Sequence, residues 1–535
     1  MESKVHFPLG GTAAIESEHC YPNLTRRDTS VTQTMAAMRY SRRGVLRSGA
    51  ATMSATAIGL GFDLAFGSEQ ATSTQSEIET EIVDESVASL ARRINAREIS
   101  SYDVVSAFLT RISQVNLKLN AVVRLRAEQA LEDAKACDQE LANGQRRGAL
   151  HGVPFTVKDS FDTAGVVSTA GTTGRANHIP ERDASVVKRL RDAGGILLGK
   201  TNTPELTLSY QTANRVYGTT HNPYDVTRSP GGSSGGAAAI LAASGSPFDV
   251  VSDSAGSARI PAHFCGVASL KPTAGRVPRT GHIIGYRGPL QALTQIGVMA
   301  RYVADLRLLL PLIAGPDGVD PHIVPMPLDW PSLSLNTLRI AYFPSNGSSV
   351  PTRDTVSAIS AAVAAVKPHV AFTKSAFPPL LLEGARLNGL LVSADGMDWA
   401  KRILAETGTD TSSLGNLRRQ MPVNSTSQFV QLIERWDELK SRSLKLWRDF
   451  DAIICPVSAA PAHATGEVAP GLGSYVGAVN LLGLPTVVVR AGTSTDGLPI
   501  GIQVIAPSWR EDIALAVAQL IETELGGWTP IENMA

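Results

Sequence analysis

Residues 229–240 read SPGGSSGGAAAI, and the reading of their two serines decides the fold. Residues 231–235 match G-x-S-x-G on Ser233, and residues 232–236 match it on Ser234. That pattern is a nucleophile elbow only where an apolar strand runs directly into it and a helix leads directly out. The alanine-rich run 237–243 supplies the helix. The strand is missing, because HNPYDVTRSP (221–230) is polar and holds two prolines. What remains is a turn opening onto a helix, whose first N–H groups are unpaired and point back into the loop. A second cluster, FDVVSDSAGSARIPA (248–262), does follow a strand, read at 248–251. Its small residues let backbone N–H groups approach a ligand closely. Successive N–H groups in a turn are what a developing oxyanion needs, and Ser257 lies at the edge of that turn.

A serine hydroxyl is a weak nucleophile and requires a base. Two residues offer one. His263 is near in sequence but lies in the apolar stretch IPAHFCGV (260–267), where a core histidine is the more frequent occupant. Lys158 ends the predicted strand 153–157. Buried without a carboxylate partner, its amine would shed its proton and become a base. Asp159 adjoins it, and alternation along a strand sends that side chain the other way.

Working outward, helical periodicity places Val87, Leu90, Ala91 and Ile94 on one face, and Val104, Val105, Phe108, Leu109 and Ile112 on another. Ser100 with Asp103 predicts an N-cap for the second of these helices. A third helix is predicted over 125–143, stopped by Gly144. RDASVVKRLRDAGGILLGKTN (182–202) predicts a helix capped by Asp183, a stop at Gly194 and Gly195, and a buried strand at 196–198. Helices are predicted near 357–366 and 427–450, strands in LPTVVVRAG and PIGIQVIA, and a closing helix over 510–524. Strand and helix alternate through short links, so the class is α/β. Residues 76–535 hold no low-complexity linker that would divide them, and they read as one large domain.

The chain has 535 residues, of which 43% are apolar, enough for a large core. Lys plus Arg balance Asp plus Glu at 49 each, which argues against nucleic acid as an electrostatic partner. No run of 18 apolar residues predicts a spanning helix, so no stable membrane insertion is expected. Cys137, Cys265 and Cys455 fall in no metal-binding or C-x-x-C spacing, the ten histidines form no H-E-x-x-H, and neither a metal nor another cofactor is expected. Residues 1–75 read as an N-terminal extension. In YSRRGVLRSGAATMSATAIGLGF (40–62) the pair Arg42-Arg43 precedes a short apolar run, which resembles a twin-arginine export signal over about 38–67, followed by a polar linker. Export to the periplasm or beyond is the expectation, with a cytoplasmic location if that run is an ordinary helix.

Three segments together resemble the amidase signature family. They are LHGVPFTVKDSFDTAG (150–165), SPGGSSGGAAAI (229–240) and SDSAGSARIPAHFCGVASLKPTAGRVPRTG (252–281), the last long and specific. The likeness extends through GKTNTPEL (199–206) to LLGLPTVVV (481–489), covers roughly residues 80–525, and is weakest between 316 and 450. The resemblance implies one large domain with a mixed central sheet covered on both sides by helices. It implies that Ser257 forms an acyl-enzyme, that Ser233 bridges beside a cis peptide, and that Lys158 is the base. It further implies oxyanion donors among the backbone N–H groups of Ser254, Ala255, Gly256 and Ser257, support from Ser234, and an Asp253–Arg259 pair bracing the loop. The family often carries glycine where this chain has Ala255, and alanine disfavours positive φ. Ser254 stands in place of a common threonine and Ala258 in place of a bulkier apolar residue.

The expected activity is hydrolysis of a small-molecule carboxylic amide to acid plus amine or ammonia, by a protein compatible with a homodimer. The variable stretch 316–450 is expected to line the acyl pocket, with Met397, Trp399 and Phe429 making it apolar, and Cys455 and Ser458 near it. Three rivals stand beside this reading. One is an esterase of the α/β-hydrolase kind using Ser233 or Ser234 with His282, His322, His369 or His463. Another is a non-catalytic binding protein on the same scaffold. The third is the glutamine-hydrolysing component of a tRNA amidotransferase.

Overall fold

The computed structural model describes residues 81–535, apart from 286, 289–291, 416, 418–420, 470, 532, 533 and 535. The export signal and the linker therefore lie outside the described residues.

Among the described residues thirteen strands follow one another: β1 (Val122–Leu125), β2 (Pro154–Lys158), β3 (Ile196–Thr201), β4 (Ala213–Asn214), β5 (Gly218–Thr219), β6 (Phe248–Asp253), β7 (Ala268–Lys271), β8 (Gln295–Ala300), β9 (Arg339–Tyr342), β10 (Phe372–Ser375), β11 (Ala452–Pro456), β12 (Thr486–Thr493) and β13 (Pro499–Ile505). β4 and β5 form a small pair of their own, and the other eleven form one sheet in the order β1-β3-β2-β6-β8-β7-β12-β13-β11-β9-β10. The sheet is mixed: β3, β2 and β6 run parallel, while β8 lies antiparallel to both β6 and β7.

Every residue of β2, β3, β6, β7, β8, β11 and β13 is buried, so these strands are covered on both faces. Alternation sorts their side chains into two cores. Val250 joins one cluster and Val251 another; Val487 and Val489 join the first and Val488 the second. The first core is closed by the helices Val87–Asn95, Ser101–Leu119, Val303–Ile313, Arg353–Val366 and Glu511–Leu525. On the other face the helices Gly235–Ala242, Arg259–Cys265, Pro379–Val392, Thr426–Ser443 and Gly477–Leu481 do the same.

Local chemistry accounts for the element ends. Ser100 accepts from the Asp103 N–H, as the capping pair predicts. Ser425 and Gln428 close a reciprocal capping box at the start of Thr426–Ser443. Three boundaries differ from the sequence reading. Asp183 does not cap the helix Ser185–Asp192; Ala184 holds that position, and the Asp183 carboxylate is drawn away to the Ala164 N–H and Arg191. The third helix begins at Ala127, because Leu125 is taken into β1. The predicted helix 427–450 breaks after Ser443 into a separate turn, Leu446–Asp449.

The register brings the catalytic candidates to one edge. β2 and β6 are parallel neighbours, with Val157 opposite Val250, so Lys158 and Ser252 both leave the sheet at its carboxyl end. Crevices beyond the carboxyl ends of parallel strands are where α/β proteins bind ligands.

Candidate active site

Lys158 is fully buried at the end of β2, and Ser233 is fully buried in the loop before Gly235–Ala242. Lys158 Nζ lies 2.6 Å from Ser233 Oγ and 2.9 Å from Ser252 Oγ. No carboxylate forms an ion pair with it among the described residues. Burial drives its amine down to about 7, with the more distant Asp253 and Asp249 pulling the other way. Asp159 points to the opposite side, where it accepts from the Thr169 N–H. The peptide between Gly232 and Ser233 is cis, as the resemblance implies.

The glycines of 229–240 are required by close approach. A Cβ on Gly236 would stand 2.4 Å from the backbone nitrogen of Asn202, just past β3. The Ser234 N–H donates to the Ser257 carbonyl at 3.0 Å, which ties this loop to the next. The Ser234 hydroxyl reaches the Ser252 carbonyl at 3.4 Å.

Ser257 sits between β6 and the helix Arg259–Cys265. It is 7% exposed, whereas Lys158 and Ser233 are at 0%, so of the three it alone faces the incoming solvent. Among the described residues its hydroxyl has no hydrogen-bond partner. The loop is held by Asp253, which accepts from the N–H groups of Gly256, Ala258 and Arg259 and pairs with the Arg259 side chain at 3.0 Å through both guanidinium nitrogens. Arg259 also donates to the Val476 carbonyl, the Gln503 side chain and the Asn480 side chain. Burial alone would raise the Asp253 carboxyl; the Arg259 guanidinium and the Asn480 amide override it and hold the group well below the usual carboxylate range. The brace expected of Asp253 and Arg259 is therefore in place. Arg259→Met is expected to lower stability by about 3–5 kcal/mol, because it strands a buried carboxylate. Urea unfolding followed by tryptophan fluorescence reads this out, and a loss under about 1 kcal/mol would refute the brace.

The same bonds revise the oxyanion set. The Gly256 N–H is committed to Asp253 at 2.7 Å, which leaves the N–H groups of Ser254, Ala255 and Ser257 as free donors in the turn. Gly256 carries the left-handed conformation, φ 108°, and Ala255 does not, so the alanine is accommodated without strain. The Tyr210 hydroxyl pins the Ala255 carbonyl at 2.9 Å, and the Ser254 hydroxyl bonds Thr294 at 2.8 Å.

Beside the loop opens a cleft of about 580 Å³ whose wall includes Ser254, His282, Leu208, Ile283, Trp399 and Phe429. Residues from 391 to 429 supply much of its wall. Met397 is instead packed into a small cluster with Leu206, Ala400 and Leu404. Cys455 is core on β11, and Ser458 holds the turn at Ala460.

Among the described residues no hydrogen bond joins the ring of His282, His322, His369 or His463, the histidines of the esterase rival, to Ser233 or Ser234. His263 is a core residue, bonded through its two ring nitrogens to Ala460 and Gly501 and pulled down to about 4 by burial. His463 bonds the Ala464 carbonyl and His369 faces Glu524. His282 was missed as a neighbour of the base: its Nε2 lies 3.0 Å from Ser252 Oγ. The three described cysteines are free and buried. Cys137, Glu140 and His151 cluster within 4.8 Å, yet Arg147 takes both Glu140 oxygens and the His151 ring is bonded to the Arg147 N–H and the Cys137 carbonyl.

A buried amine held well below its usual range against one serine, with a second and more accessible serine on the adjoining loop, is an arrangement in which an amine could activate a serine hydroxyl. Comparison with known proteins agrees. The Amidase family model matches residues 103–515. The chain is 31% identical to human fatty-acid amide hydrolase 2 over 483 residues, covering 82% of this chain and 88% of that one. It is 32% identical to indoleacetamide hydrolase of Bradyrhizobium diazoefficiens over 476 residues, covering 82% and 86%. The solved structure of 6-aminohexanoate cyclic dimer hydrolase complexed with substrate superposes with a TM-score of 0.74 at 25% identity, covering 84% of this chain and 99% of that one. The chain belongs to the amidase family.

Proposed function

We infer that this chain hydrolyses a small carboxylic amide, with Ser257 as nucleophile, Ser233 as relay and Lys158 as base. The observation that carries the reading is the 2.6 Å contact between Lys158 Nζ and Ser233 Oγ in a fully buried setting. An unprotonated amine there can take the Ser233 proton while Ser233 takes that of Ser257. Ser257 Oγ then attacks the carbonyl carbon, and the oxyanion forms against the N–H groups of Ser254, Ala255 and Ser257. The proton returns through Ser233 to the leaving nitrogen, the C–N bond breaks, and water releases the acid from the acyl-enzyme.

The apolar wall of Leu208, Ile283, Trp399 and Phe429 supports an alkyl or aryl acyl group in the cleft. The leader read at Arg42-Arg43 supports an exported amidase over an amidotransferase component working on tRNA.

The pH profile tests the base. Lys158 accepts a proton only when neutral, and its amine is pulled down to about 7, so protonation below that value removes the base. kcat/KM for an alkyl p-nitroanilide is expected to rise with pH through an apparent pKa near 7 and level off above it. A profile that is flat across that value, or falls as pH rises, would exclude a lysine base.

A further inference from the structure

Ser252 Oγ, the second hydroxyl beside Lys158, lies between two nitrogens: Lys158 Nζ at 2.9 Å and His282 Nε2 at 3.0 Å. His282 is 4% exposed and is wedged against the Phe161 ring, with centroids 4.8 Å apart. Its other ring nitrogen, Nδ1, accepts the Ile284 N–H at 3.3 Å. An imidazole that accepts at Nδ1 and is neutral must carry its proton on Nε2. Burial, with Lys158 and Arg279 nearby, pushes this ring well below its usual value and keeps it neutral. Nε2 is therefore the donor to Ser252.

That direction has a consequence for the base. A serine oxygen has two lone pairs and one proton. With one lone pair taken by His282 N–H and the other facing a Lys158 N–H, the Ser252 proton is directed away from the amine. The single lone pair of neutral Lys158 is then left for Ser233. Without His282, Ser252 can rotate its O–H onto the lysine nitrogen and compete with the relay. We propose that His282 is a positioning residue which, by donating to Ser252, reserves the Lys158 lone pair for the Ser233 proton. This rests on Lys158 being the base.

The alternative role for His282 is a direct one, since it also lines the cleft. The two are separated by a double-mutant cycle read in two ways: the rate at which a fluorophosphonate probe labels Ser257, and the kcat and KM for hexanoyl p-nitroanilide. Residues that hold a reacting group in place typically cost roughly 10–100-fold when removed. His282→Leu is expected to slow labelling and lower kcat by that factor, with KM changed less than about threefold, whereas Ser252→Ala, which has no O–H to compete for the Lys158 lone pair, is expected to stay within about tenfold of wild type. The doubly substituted chain is expected to be faster than His282→Leu alone, because Ser252→Ala removes the O–H that His282 holds away from the amine. His282→Gln, whose amide can still donate to Ser252, is expected to restore most of the rate. A double variant no faster than His282→Leu, a change confined to KM, or wild-type labelling by His282→Leu would each overturn the proposal. If His282→Leu does not fold, Ser252→Ala and His282→Gln carry the test alone: a loss of more than about tenfold in Ser252→Ala, or failure of His282→Gln to exceed a tenth of the wild-type rate, refutes it. Lys158→Met measured alongside distinguishes the failures. An active Lys158→Met sinks the base assignment itself, whereas an inactive Lys158→Met beside a fully active His282→Leu sinks only this inference.

Discussion

Ser257→Ala is expected to lower kcat on an amide by at least about 10⁴-fold, with substrate binding and thermal stability essentially unchanged. The size follows from where the oxygen sits. Of the three candidate groups, Ser257 is the one that keeps some solvent exposure, and its hydroxyl has no bond within the protein to lose among the described residues. Its structural tie is through the backbone, where its carbonyl accepts from the Ser234 N–H at 3.0 Å, and alanine keeps that. Removing Oγ therefore deletes the bond-forming atom and little else. Residual turnover would come from a water held against the same N–H donors. Initial rates on a p-nitroanilide, with KM and melting temperature measured alongside, check the expectation. Turnover within tenfold of wild type would reject Ser257 as nucleophile.

Lys158→Met is the second large effect, with kcat expected to fall by about 10²–10⁴-fold at every pH. Methionine keeps most of the length and volume of lysine, so the fully buried slot at the end of β2 stays filled. What is lost is the amine that Ser233 Oγ meets at 2.6 Å. Because the amine and the two serines act as a unit, adding Lys158→Met to Ser257→Ala is expected to cost little beyond the worse single variant. A fully additive pair would mean that Lys158 acts on something other than the serine relay. Raising the pH is expected to rescue the wild type from acid but not the methionine variant, since the latter has no group to deprotonate.

Much of this was legible in the amino-acid order, for reasons that differ from place to place. β2 and β6 announce themselves by short β-branched and aromatic runs, 153–157 and 248–251, and the serine turn after β6 is marked by its run of small residues. The mixed sheet and the single large domain came from family likeness, and the structure bears them out. β9 and β10 were invisible: each is four residues long, and neither Arg339–Tyr342 nor Phe372–Ser375 shows a strand's period against its helical flanks. The capping role given to Asp183 failed because a carboxylate goes to its strongest partners, here the Ala164 N–H and Arg191, and these are fixed by tertiary contact. The N–H of Gly256 looked available in sequence for the same reason; nothing local says that Asp253 folds back on it. His282 and Ser252 stand 30 residues apart and meet only because the chain from β7 back toward β8 passes over the end of β6.

The brace around Ser257 also sets a clock. Arg259 reaches forward 221 residues to Asn480 and 244 to Gln503 for partners that hold it in place. A ribosome supplies those residues long after Lys158, Ser233 and Ser257 have all emerged. Until then Arg259 has no Asn480 or Gln503 to hold it, so a chain cut short before Asn480 is expected to leave the 253–259 loop unanchored.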